Sequence, residues 1–83
     1  MSADALALAR ALNASIASGA TSFAAPNAIR EYFFDDVSLV LSHARNFEFD
    51  GRGITLWFHA GAGVLLDNCD SVRLGNLTID YDP

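Results

Sequence analysis

The chain has no lysine, one cysteine, two prolines and one methionine in 83 residues. All five basic residues are arginines, scattered at Arg10, Arg30, Arg45, Arg52 and Arg73. With ten acidic residues the formal charge is −5, so no basic patch exists to neutralise a phosphate backbone, and nucleic acid is excluded as a partner. Cys69 stands alone, which excludes an internal disulfide framework. No apolar run approaches the roughly 20 residues of a membrane-spanning helix. Residues 2–18 are rich in alanine, but Asp4 and Arg10 interrupt them and no basic segment precedes them, so they do not read as a secretory signal. Charged residues are only 18%, against 52% hydrophobic, which argues for a folded chain with much apolar surface for its size. The length fits one domain, residues 1–83.

Within that domain residues 2–18 predict an amphipathic helix. Ser2 is placed to cap its N-terminus, Asp4 lies in its first turn, and Gly19 follows where a left-handed residue closes a helix. Ala5, Leu8, Ala9, Leu12 and Ile16 recur at three- and four-residue steps and form one apolar stripe. From residue 20 onward the period changes to two. Short apolar runs follow one another: 21–24, 32–34, 37–41, 47–49, 54–58, 64–66, 72–74 and 77–79. Between them stand the turn formers Pro26-Asn27, Asp35-Asp36, Asp50-Gly51-Arg52-Gly53, Gly61-Ala62-Gly63, Asp67-Asn68 and Gly75-Asn76.

These runs repeat. Leu39 and Val64, Leu41 and Leu66, Phe47 and Val72, and Phe49 and Leu74 each lie 25 residues apart. Ile54 and Leu77, Thr55 and Thr78, and Leu56 and Ile79 lie 23 apart, with the difference confined to a turn. Matched phase over three strands predicts a β-solenoid in which equivalent residues stack between coils. The alternative is a helix-on-sheet α+β domain with antiparallel pairs.

The segments Val37-Ser38-Leu39, Phe47-Glu48-Phe49-Asp50-Gly51-Arg52-Gly53-Ile54, Gly63-Val64-Leu65-Leu66 and 76–83 (Asn-Leu-Thr-Ile-Asp-Tyr-Asp-Pro) resemble the start of right-handed parallel β-helix proteins of the pectin-lyase-like superfamily. The resemblance implies a short right-handed parallel β-helix of about 2–3 coils over residues 20–83, its mouth closed by the capping α-helix at 2–18. It also implies a secreted parent protein and a polysaccharide as a possible partner, cleaved by a lyase or glycosidase whose catalytic coils lie beyond this chain. On that reading Asp80, Asp82 and Arg73 are the charged cluster for carbohydrate or a cation, although two carboxylates fall short of the six to eight oxygens calcium takes.

The residues themselves offer little chemistry. His43 and His59 stand 16 apart with no third ligand at a useful spacing, so no metal or other cofactor is expected. The segment His59-Ala60-Gly61-Ala62-Gly63 lacks the spacing of a phosphate loop and reads as a tight turn. Cys69 has no histidine nearby in sequence to activate it. Trp57 and Phe58 are adjacent, so a strand sends them to opposite faces, and the one that leaves the core offers an aromatic face to a sugar or to a partner chain.

No catalytic residue is assigned. The expected property is self-association. The helix covers one end of the stack, while Val72, Leu74, Leu77, Ile79 and Tyr81 form an uncovered apolar layer at the other, with no lysine to guard it. That pattern predicts a head-to-head homodimer through the C-terminal coil.

Overall fold

In the computed structural model, which describes residues 1–59 and 63–81, one helix precedes six strands. The helix α1 spans Ala3–Ala17. The strands are β1 (Ser22–Ala24), β2 (Glu31–Asp35), β3 (Leu39–Ser42), β4 (Arg45–Phe58), β5 (Val64–Asp67) and β6 (Asp70–Tyr81). Ser2 caps α1 by accepting the Ala5 N–H on its hydroxyl at 3.1 Å, and Gly19 leaves the helix at φ +85°.

Every strand pair is parallel. β1 and β2 lie along one edge of β4, and β6 lies along the other; β3 and β5 form a separate two-stranded sheet. The 25- and 23-residue spacings of the sequence are the register of these pairs. Leu39 sits beside Val64, Leu41 beside Leu66, Phe47 beside Val72, Phe49 beside Leu74, Ile54 beside Leu77 and Leu56 beside Ile79.

The architecture is nevertheless not the expected β-solenoid of roughly two to three three-sided coils behind a capping helix. It is a compact globule of 35 × 26 × 20 Å with one helix and two small sheets, and the short right-handed parallel β-helix is corrected to that description. The physical reason lies at two places read as turns. Asp50-Gly51-Arg52-Gly53 does not end a strand: Arg52 and Gly53 take left-handed conformations (φ +56° and +86°) and the bend is absorbed as an irregularity within the 14 residues of β4. Asn76, at φ +54°, does the same within β6. Two expected short strands thus fuse into one bent strand on each side, and two sheets result where three were expected.

The core lies between α1 and the inner faces of the sheets. Ala5, Leu8 and Leu12 from the helix meet Tyr32, Phe34, Leu39, Leu41, Phe47, Phe49, Ile54, Leu56 and Phe58, all buried. Phe34 stacks on Phe58 with ring centroids 5.2 Å apart. Gly51 is required here by close approach: a Cβ on it would stand 2.6 Å from Leu77 Cβ.

Candidate functional site

Two edges of this structure are treated differently. On the α1 side the outer strands find partners in the helix. The Ser2 N–H donates to the Phe33 carbonyl of β2 at 2.8 Å, and the N-terminal ammonium pairs with Asp35 at 3.2 Å. Asn13, on the inner side of α1, donates through Nδ2 to the Val40 carbonyl at 2.8 Å and accepts the Ser42 N–H on Oδ1 at 3.2 Å. Its carboxamide therefore stands in for a neighbouring strand along β3, satisfying a donor and an acceptor on an otherwise unpaired edge. Sequence reasoning missed this residue, since an asparagine within a helix reads as a mild cost to helix stability and its partners lie 27 and 29 residues away.

On the other side β5 and β6 have no neighbour beyond them among the described residues. The five positions named from the sequence, Val72, Leu74, Leu77, Ile79 and Tyr81, all lie on β6. Val72, Leu74 and Leu77 pack from its inner side against the core and are half-buried. The contrast across the register is sharp: Leu41, Leu56 and Phe58 are 0% exposed, while their strand partners Leu66, Ile79 and Tyr81 are 49%, 41% and 47% exposed. Leu65 adds a further exposed side chain on β5. These exposed apolar side chains lie on two separate strands, Leu65 and Leu66 on β5 and Ile79 and Tyr81 on β6, each with one unpaired edge among the described residues.

The carbohydrate and cation candidates are dispersed. Arg73 lies beside Glu48 on the outer face of the β4–β6 pair, where Asn46, Phe47, Glu48, Ser71 and Arg73 line an open groove of about 290 Å³. Asp80 lies beside Trp57 further along the same strands, past the bend at Asn76. Asp82 falls outside the described residues, as do residues 60–62 of the glycine-containing segment after His59. Among the described residues no three histidine, cysteine, aspartate or glutamate side chains converge as a metal would require. Trp57, rather than Phe58, leaves the core. Its ring stacks on Phe33 at 6.4 Å and its Nε1 donates to Glu31 at 3.1 Å, so the exposed face of this pair belongs to Phe33 as much as to Trp57.

The remaining polar groups hold the backbone. Cys69 is half-buried, and its thiol donates to the Leu41 carbonyl at 3.2 Å. Asp50 accepts the Arg52 N–H at 3.0 Å and the Asn76 carboxamide at 3.1 Å, and these bonds hold its carboxyl below the usual carboxylate range. Tyr32 is buried beneath α1, where desolvation and, secondarily, the Asp4 carboxylate push its phenol up. It lines an apolar cleft of about 200 Å³ between the helix and the β1–β2 connection. Among the described residues no helix is long and apolar enough to cross a membrane.

Comparison of the chain with protein-family models, with curated proteins and with solved structures finds no match.

Proposed function

We propose that this chain is a non-catalytic structural module that self-associates, as a homodimer, through the edge formed by β5 and β6. One observation carries the reading. Apolar side chains are exposed on both strands that lack an outer neighbour among the described residues, Leu65 and Leu66 on β5 and Ile79 and Tyr81 on β6. Isolated exposed hydrophobics are ordinary, but apolar side chains exposed along unpaired strand edges favour association. The usual guards of such an edge are lysines, prolines or a covering element. The chain has no lysine, and neither proline lies in β5 or β6.

The helix end is less open to this role, because α1 packs over it, with Ser2 taking the Phe33 carbonyl of β2 and Asn13 taking the Val40 carbonyl and the Ser42 N–H of β3. A second copy therefore meets the same β5–β6 edge on its partner, which closes the assembly at two and prevents fibres. Light scattering of the purified chain is expected to give twice the monomer mass. The variant carrying Leu77→Arg and Ile79→Glu is expected to lose the dimer or to aggregate. A monodisperse, folded wild-type monomer at high micromolar concentration overturns the reading.

A further inference from the structure

We infer that the two copies meet by laying β6 antiparallel on β6, with the twofold axis passing between Asn76 and Leu77 and Arg73 facing the partner's Asp80. This rests on the self-association proposed above and fixes its register.

The backbone decides which groups are on offer. On β4 the Glu48 N–H and the Asp50 carbonyl turn toward β1, at 3.0 and 2.9 Å from their partners, and the Thr55 N–H turns toward β2 at 2.9 Å. β6 repeats β4 in register, with Arg73 beside Glu48, Gly75 beside Asp50 and Thr78 beside Thr55. Arg73, Gly75, Thr78 and Asp80 therefore turn their backbone groups toward β4. Strand alternation turns those of Val72, Leu74, Leu77, Ile79 and Tyr81 to the free edge. The Tyr81 N–H agrees, since it is taken up by its neighbour Asp80 at 2.8 Å.

The bend then makes the strand self-complementary. In an unbroken strand, a twofold antiparallel pair must set residues separated by an even number opposite one another, because side chains alternate. The left-handed Asn76 shifts the phase by one, so inward positions run Val72, Leu74 before it and Leu77, Ile79, Tyr81 after it. Placing Leu74 opposite the partner's Ile79 and Val72 opposite the partner's Tyr81 sets free-edge groups against free-edge groups and apolar side chains against apolar ones. A twofold axis through the bend maps each arm of β6 onto the other arm of its partner.

Apolar matching alone also allows a slip of two residues that sets Leu74 opposite the partner's Leu77, and charge selects between the two registers. Arg73 is the basic residue of β6, and Asp80 is the acidic residue of its second arm. Neither joins an ion pair among the described residues. In the central register the two face each other twice per dimer, at a closely spaced, non-hydrogen-bonded position on the outer face. That slip places Arg73 opposite the partner's Thr78 and loses the match. The opposite slip, which would bring Arg73 to the partner's Asp82, sets Leu77 against the partner's Thr78, an inward side chain against an outward one, and fails on apolar matching.

The test is a charge reversal read by dimer dissociation in sedimentation equilibrium, with circular dichroism confirming the fold. Arg73→Asp and Asp80→Arg are each expected to weaken the dimer about tenfold, and the double variant to recover to within about threefold of wild type. A wild-type dimer with no recovery in the double variant overturns the register and leaves self-association standing; a wild-type monomer overturns both. Should the reversals disturb folding, oxidation of a Cys69→Ser chain carrying Gly75→Cys and Thr78→Cys decides the matter. These positions face each other across the same axis, and a Cβ on Gly75 meets nothing within 4 Å. A covalent dimer is expected from the pair and none from Gly75→Cys alone. The reverse result, or no covalent dimer from a folded pair variant, overturns the register.

Discussion

Phe49 and Leu74 occupy equivalent places in two adjacent strands, yet one is 1% exposed and the other is half-buried. The same holds along the register. The layer formed by β3 and β4 is covered on one side by α1, β1 and β2, and on the other by β5 and β6. Among the described residues the layer formed by β5 and β6 is covered on one side only. Local sequence is not the cause, because both layers carry alternating apolar residues with the same phase. Burial is conferred by the neighbour, and at the N-terminal end that neighbour is a helix whose polar groups also close the strand edges. What distinguishes a finished edge from an unfinished one here is Asn13 and Ser2 as much as Leu8 and Leu12.

The largest break in that comparison comes from truncating its covered member. Phe49→Ala removes a buried ring that also packs against Phe23, with centroids 5.9 Å apart, and is expected to cost about 3–5 kcal/mol. Leu74→Ala in dilute protein is expected to cost about 1 kcal/mol, since its site is already half open and can relax. Chemical denaturation at two protein concentrations separates the cases further. The Leu74→Ala deficit should grow with concentration as wild type gains from dimerisation, whereas the Phe49→Ala deficit should stay nearly constant. Equal costs at both sites would mean that the β6 layer is as well covered as the β4 layer.

A smaller effect is expected where the helix closes the β3 edge. Asn13→Ala leaves the Val40 carbonyl and the Ser42 N–H without their partner, and about 1–3 kcal/mol should be lost in thermal or urea unfolding. Asn13→Asp keeps an acceptor for Ser42 but presents an oxygen to the Val40 carbonyl, so it should recover little of that loss. If both variants unfold like wild type, α1 covers the sheets by apolar contact alone and the two edges differ less than their hydrogen bonds suggest.

Much of this arrangement was legible in the sequence because parallel pairing converts spatial neighbours into fixed sequence spacings. Leu39 with Val64 and Phe47 with Val72 could be matched by counting, and the cap of α1 could be read from Ser2, Asp4 and Gly19. Strand ends could not. Asp50-Gly51-Arg52-Gly53 has the composition of a turn, but left-handed residues bend a strand without ending it, and composition does not separate the two outcomes. His43 and Asn68, like Asn46 and Ser71, take left-handed conformations 25 residues apart, yet serine does not signal that preference by its chemistry. The apolar positions of the candidate edge were visible as a pattern. Their exposure was not, because it depends on which strands lack a neighbour, and the pairing of Trp57 with Phe33 and Glu31 was invisible for the same reason.

The smallest expected effect joins the two layers directly. Asp50, on β4, accepts the Asn76 carboxamide of β6 and the Arg52 N–H, and both bonds favour its ionised form over the protonated one. A carboxyl held below its ordinary value of 3.8 contributes stability that is fully present above that value and is lost as pH falls through the folded-state value. Other carboxylates titrate in the same range, so the informative quantity is the difference between wild type and Asp50→Asn. An asparagine at this position keeps an oxygen that accepts both bonds but removes the charge that strengthens them. Thermal midpoints measured from pH 7 to pH 2 should therefore show a small deficit for Asp50→Asn at neutral pH, shrinking toward zero below pH 3.8 as Asp50 in the wild type becomes protonated. A deficit that stays constant with pH would place the role of Asp50 in geometry, not charge. No deficit at any pH would mean that the charge on Asp50 adds nothing to the bond by which it joins Asn76 of β6 to β4 at the bend.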